Sequence, residues 1–335
     1  MRFLVGTYTD IALAQSSSKG VYLYDIDLDT LNATRLDCAE VKNPSYVATE
    51  GHNAFTLSEC GSDSWLHSIA IEGDSLRLTS TVKCPDDPCH LVAKDGMVYS
   101  ANYSGGSITV VETHADGTLG NVAQELCFDE HGTTQRQLAA HLHNMAVAPC
   151  GTLMAASNLG GDCIYLLRIN ADGTLTLLHT MHTEAGSGPR HLTWDASGKY
   201  LYLITELSNE VMAFAIKGET LVHMQTLTAE TEKGHGAADI HIHPSGKWLY
   251  ASVRVVNNGI ALFGINEDGT LIRTAFYPTG KHPRNFAITP CGTLLMCACR
   301  DSNVIELYRI NSDGMLVHMQ ENDIAVGMPV CITIL

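Results

Sequence analysis

Basic residues are scarce in this chain. It holds 20 Lys and Arg against 36 Asp and Glu in 335 residues, a formal net charge of −16. That balance argues against a nucleic-acid partner, whose phosphates require a cationic surface. It also means that any place where the few cations converge is an anion site by contrast. Charged residues of both signs make up only 17 %, below the usual ~25 %. No apolar run is long enough to cross a membrane as a helix. The opening Met1-Arg2-Phe3-Leu4-Val5 is too short an apolar stretch for a signal peptide. CxxC spacing is missing from the eleven cysteines, and Cys297-x-Cys299 is their closest pair. They read as buried thiols of a cytoplasmic protein, not as a disulfide or zinc framework. Tryptophan is limited to three residues, which leaves little aromatic surface for a protein partner. With 45 % of residues apolar, a large core is nevertheless available.

What the chain does have is a repeat. Seven tight polar turns each end in leucine, at Leu31, Leu76, Leu119, Leu175, Leu221, Leu271 and Leu316, spaced 45, 43, 56, 46, 50 and 45 residues apart. Four of them carry Asp-Gly, at Asp116, Asp172, Asp268 and Asp313, a strong hairpin signal because Gly accepts positive φ. A second series, Pro149-Cys150-Gly151, Ala196-Ser197-Gly198, Pro244-Ser245-Gly246 and Pro290-Cys291-Gly292, keeps the same period. In the stretch from Pro189 to Thr231 the turns divide four β-rich runs: Arg190–Asp195, Lys199–Thr205, Glu210–Ile216 and Leu221–Leu227. We label them a to d. Four antiparallel strands in a repeat of this length make one propeller blade, so the fold is all-β with seven blades.

Blades are expected over 328–335 plus 1–40, 44–84, 88–127, 141–184, 189–231, 238–280 and 283–326. The N-terminus supplies strands b and c without an a, and Met328 to Ile334 supplies an a with nothing after it. The last strand therefore joins the first blade and closes one ring, covering two open edges.

In a blade, the start of strand a and the end of strand b share one edge, so these positions converge around the central channel. They carry His90, His143, Arg190, His191, Asp239 and Arg284, together with Asn102, Tyr103, Glu206, Arg254 and Arg300. The opposite face receives only the repetitive turns. Each of these residues has an ordinary reading as well: Arg190 and Arg284 can pair with Glu206 and Asp239. The pairs His141/His143 and His241/His243 lack a third ligand at fixed spacing, so a polar site is favoured over a metal.

Gly6-Thr7-Tyr8-Thr9, Asn43-Pro44-Ser45-Tyr46, Ala101-Asn102-Tyr103, His141-Leu142-His143, Gly188-Pro189-Arg190-His191, Glu206-Leu207-Ser208, Ala238-Asp239-Ile240-His241 and Pro283-Arg284-Asn285 follow one another as in the seven-bladed propeller lactonases. The chain resembles this family, which includes propeller-type 6-phosphogluconolactonases and carboxy-cis,cis-muconate cyclases. The resemblance implies a site of His143, Arg190, Glu206 and Arg254 or Arg284, without cofactor or metal. It departs from the family at Asp239, where Glu is usual, and at Ser252-Val253-Arg254 and Cys299-Arg300.

The expected reaction is hydrolysis of a phosphorylated sugar lactone. His143 or Glu206 would move the proton and an arginine such as Arg190 would steady the oxyanion. Arg254, Arg284, His90, His191, Asp239, Asn102 and Tyr103 would line the anionic substrate. With His143 as base, activity should fall below its pKa, so a profile flat from about pH 5 to about pH 8 would remove it from that role. A cyclase would direct the same arginines at carboxylates. A non-enzymatic scaffold would be expected to show exposed aromatics at this face.

Overall fold

The turns set the strands, and the strands set the ring. A computed structural model describes residues 1–11, 14–230 and 234–335. They form seven blades, each a sheet of four antiparallel strands in simple meander order. In blade 5 the strands are Pro189–Trp194, Tyr200–Thr205, Glu210–Lys217 and Thr220–Thr228, each boundary within one residue of the expected one. Thr231, the expected end of this blade, lies outside the described residues. The C-terminal strand Pro329–Ile334 pairs antiparallel with Arg2–Thr7 and closes the first blade. Blade 7 is the irregular one. Its outer strand is split into Leu316–His318 and Ile324–Ala325, with a 3-10 turn at Gln320–Asn322 between them.

The repeated turn owes its sequence to two sets of bonds. Within it, the carboxylates of Asp116, Asp172 and Asp268 each accept from the N–H of the threonine two residues on (3.0 Å) and from its hydroxyl (2.6 Å). The intervening glycines sit at φ of 80 to 81°, where a side chain is strained. Between blades, the leucine backbone is held by the preceding blade's outer strand. Gln124 brackets Leu175 through its N–H (2.7 Å) and C=O (2.9 Å), and Gln225 does the same at Leu271 (2.7 and 3.0 Å).

At three junctions a tyrosine from strand b of the preceding blade adds a bond to the turn. Tyr99, Tyr202 and Tyr250 donate their hydroxyls to the carbonyls of Gly173, Gly269 and Gly314 at 2.9, 3.0 and 2.7 Å. Tyr202 is fully buried, so Tyr202→Phe strands the Gly269 carbonyl. The variant should lose about 1–3 kcal/mol of stability, read as a lower urea midpoint at unchanged slope. An unchanged midpoint would show that the bond contributes nothing.

The core is divided among seven wedges, each between neighbouring blades. Leu166, Leu192, Leu203 and Phe214 fill the one between blades 4 and 5. Phe3, Val5, Met296, Ile305 and Ile332 fill the one where the last blade meets the first. Each blade is thus apolar on both broad faces, and polar groups are pushed to the rims.

Candidate active site

At the mouth, strand a enters six of the blades through a β-bulge. Pairing slips between Pro88 and His90, Leu142 and Asn144, Pro189 and His191, Ala237 and Ile240, and Pro283 and Asn285, and likewise opposite Thr7. The residues left over are Cys89, His143, Arg190, Ala238 with Asp239, Arg284 and, in the first blade, Val330. A bulge bends the strand and re-aims the extra side chain. Four of the residues expected in the site are therefore there because the ladder skips them.

Glu206 follows strand b of blade 5 and gathers three guanidinium groups. Its Oε2 accepts from Arg190 Nε (2.8 Å) and Arg254 Nη2 (3.1 Å), and its Oε1 from Arg136 Nη2 (3.1 Å). Burial alone would raise this carboxyl, but Arg254, Arg190, Arg136 and Arg284 outweigh it and hold it at about 2. Arg254 shows the opposite imbalance. Burial, with Arg190, Arg284 and Arg300 close by, lowers it to about 9 despite Glu206. Glu206 is thus surrounded by more positive charge than this one carboxylate neutralises.

Arg284 is the least engaged of these cations. Its guanidinium lies 5.4 Å from the Tyr8 ring, and no described residue accepts a hydrogen bond from it. Arg190 is buried and uses Nε and Nη1, the latter on Ala238 O at 2.6 Å, leaving Nη2 without a described acceptor. Arg254 is fully committed, to Glu206, Gly236 O, Ala237 O and the His282 ring, and so holds the wall instead of offering a donor to substrate. Arg300 pairs with Asp301 at 2.6 Å and approaches His282 Nδ1 at 3.2 Å.

Beside the arginines runs a row of rings. Tyr103 stacks on His141 (4.3 Å between centroids), His143 lies edge-on to Tyr103 (5.6 Å), His191 edge-on to His143 (5.3 Å), and His90 edge-on to His191 (5.8 Å). Burial, reinforced by Arg190, His191 and Arg284, pushes His143 well below its ordinary range. Its neutral form is thereby favoured, and any acid limb that this ring sets is displaced to lower pH.

Other expectations meet the structure as follows. Arg190 does pair with Glu206. Asp239 pairs with neither arginine and binds His191 and His241 instead. Asn102 is fully buried and spends its amide on Ser100, Ser107 and Thr109 inside blade 3, so it braces the sheet and does not line the channel. His241 and His243 diverge, since His243 bonds Ser245 and Gly292 O. Arg136 was missed. It stands in the long connection between Cys127 and Leu142, and the 56-residue gap between Leu119 and Leu175 was its only trace in the sequence.

Among the described residues one group brings three metal-type ligand atoms within 4.8 Å: Glu306, His318 and Asp323. These belong to the split outer side of blade 7 and are already spoken for. Asp323 accepts from Leu307 N–H and His318, and Glu306 from Gly280 N–H and the Tyr308 hydroxyl. They repair the broken strand.

Comparison with known proteins extends the picture. Residues 2–334 match the family described as lactonase, 7-bladed beta-propeller. A 6-phosphogluconolactonase of Formosa agariphila is 31 % identical over 91 % of both chains, and one of Bacillus subtilis is 29 % identical over 99 % of this chain and 97 % of its own. A crystal structure from Bacteroides uniformis, described as a candidate 6-phosphogluconolactonase, superposes with a TM-score of 0.94 at 40 % identity, covering 99 % of this chain and 98 % of that one. A periplasmic gluconolactonase of Pseudomonas aeruginosa superposes with a TM-score of 0.91 at 27 % identity, covering 99 % and 98 %.

Proposed function

The chain belongs to the seven-bladed β-propeller lactonase family, and from that premise we propose that it hydrolyses a phosphorylated sugar lactone, 6-phospho-D-glucono-1,5-lactone foremost. One observation carries the choice of an anionic substrate. In a protein of net charge −16, four arginines bear on Glu206 at the channel mouth, and Arg284 among them, which also feels Glu59, has no hydrogen-bond acceptor among the described residues. A guanidinium fork fits a phosphate through paired hydrogen bonds. Arg284 and the half-exposed Arg136 are the groups to hold it. Arg190, rigid and buried, supplies its Nη2 to the oxyanion that forms when water adds to the carbonyl. Glu206 is ionised throughout the working range and too weak a base to take a proton, so its part is to fix Arg190, Arg254 and Arg136. Proton transfer falls to the neutral histidines. A reducing, cytoplasmic setting is consistent with the eleven free cysteines, and among the described residues no helix is long and apolar enough to cross a membrane.

The test is hydrolysis of freshly generated 6-phosphoglucono-δ-lactone beside unphosphorylated gluconolactone, each corrected for spontaneous opening. Wild type should show saturable turnover with a clear preference for the phosphorylated compound. Arg284→Met should raise KM for that compound by about 10- to 100-fold, the worth of a charge-assisted contact, with little change for the other. Rates at the spontaneous background would overturn the lactone reading. Equal effects on both lactones would remove phosphate from it.

A further inference from the structure

Two neighbouring histidines of the mouth, His143 and His191, are held very differently. His143 presents Nδ1 to the Cys89 thiol at 3.9 Å, a weak contact, and no carboxylate among the described residues orients its ring. His191 has its Nδ1 2.7 Å from Asp239 Oδ1, with side-chain exposures of 7 % and 2 %. Asp239 is itself pinned by three blades. It accepts from Ile240 N–H (3.0 Å), His241 Nε2 (2.9 Å), Asn285 Nδ2 (2.5 Å) and Phe286 N–H (3.1 Å). Asn285 is fixed in turn by accepting from Ile332 N–H at 2.7 Å in the C-terminal strand.

A carboxylate ringed by donors is ionised and has no proton to give. Burial would raise Asp239, but His241, His191 and their hydrogen bonds outweigh it and hold it far down. His191 must then donate from Nδ1, and its lone pair stands on Nε2. No described residue bonds Nε2, and the ring packs edge-on against His143 (5.3 Å between centroids) and His90 (5.8 Å) at the mouth. A base oriented by a third group, with its other nitrogen left without a described partner, is the arrangement of a proton-transfer dyad.

We propose, resting on the lactone reading above, that His191 is the general base of this site and Asp239 its positioning residue. Nε2 takes a proton from water as the water oxygen bonds to the lactone carbonyl carbon, and the C=O electron pair moves onto the carbonyl oxygen. When that pair returns, the bond from the carbonyl carbon to the ring oxygen breaks. The ring oxygen takes the proton from Nε2, giving the open hydroxy acid and neutral His191. One proton is borrowed and returned, and water is the only co-reactant.

The charged and titratable groups facing His191 are Arg190, Asp239, His241, His90 and His143. Burial and Arg190 together outweigh Asp239 and keep His191 at about 4. It is therefore in its base form at neutral pH, and activity should fall only as pH drops toward that value.

The experiment measures kcat, KM and the acid limb on 6-phosphoglucono-δ-lactone. His191→Gln should lower kcat by about 10²- to 10⁴-fold with KM within about twofold, and added imidazole should restore part of it. His143→Gln should lose less. Asp239→Asn should lower kcat and move the acid limb to lower pH, because the anion that raises His191 is gone; a purely structural role would not move that limb. If His191→Gln does not fold, as judged by its melting curve, His191→Asn carries the same expectation. Wild-type turnover with either variant keeping more than half of kcat, or with His143→Gln the worse enzyme, overturns the base and leaves the lactone reading standing. No wild-type turnover overturns that reading and the base with it.

Discussion

Glu206→Gln is expected to cost both activity and stability. The side chain keeps its shape and loses its charge, while Arg190 and Arg254 stay buried around it. Removing one partner of a buried ion pair costs about 3–5 kcal/mol, because the other charge is left uncompensated. For a chain of this size that is a fall of roughly 5 °C in Tm. The guanidinium groups then separate, Arg190 loses its fixed position, and a displacement of about 1 Å is enough for a hundredfold loss in kcat/KM. The pH dependence has a definite sign. Glu206 moves from an ordinary 4.5 to about 2 on folding. The stability it contributes is present above pH 4.5 and is lost as pH falls toward 2, so wild type and variant should converge in acid. A variant that melts with wild type yet has no activity would make Glu206 a reacting group and not a counter-ion.

The propeller was legible because its turns obey local rules. Asp-Gly-Thr-Leu recurs where the aspartate must bond the threonine and the glycine must take positive φ, and both needs are met within four residues. The convergence of strand starts was legible too, since it follows from hairpin geometry. Side-chain direction was not. Alternation put His241 beside His243, but His243 turns away to Ser245 and Gly292, and Asn102, placed at the mouth by its position at the end of strand b, turns inward to the hydroxyls of Ser107 and Thr109. Partners were also out of reach. The pairing of Arg190 with Glu206 was open to the sequence, but nothing in Pro189-Arg190-His191 says that the next residue meets Asp239, because that contact crosses between blades. Arg136 shows the remaining limit. A connection without periodicity gives no register, so its extra length was visible and its cargo was not.

Deleting residues 328–335 should prevent folding altogether. Strand Pro329–Ile334 is the inner strand of the first blade, paired with Arg2–Thr7 from Phe3↔Ile334 to Thr7↔Pro329. Its Val330, Cys331 and Ile332 are 2 %, 1 % and 6 % exposed, and each aliphatic side chain of that kind contributes about 1.5–3 kcal/mol on burial. Without them the wedges on both sides of blade 1 lie open, and Arg2–Thr7 becomes an apolar edge ready to pair with another chain. The loss is comparable with the about 5–15 kcal/mol by which a folded domain exceeds its unfolded chain. The shortened chain should be insoluble or lack a cooperative melt. A soluble chain melting within a few degrees of full length would show that the ring does not depend on this closure. Adding a synthetic peptide of residues 326–335 during refolding should recover the melt. It should also recover activity, because Ile332 N–H holds Asn285, Asn285 holds Asp239, and Asp239 aims His191. A peptide with Pro in place of Ile332 lacks that N–H. If the ring closes with it, the melt should return with a lower kcat than the native peptide restores, which would separate closing the ring from setting the dyad.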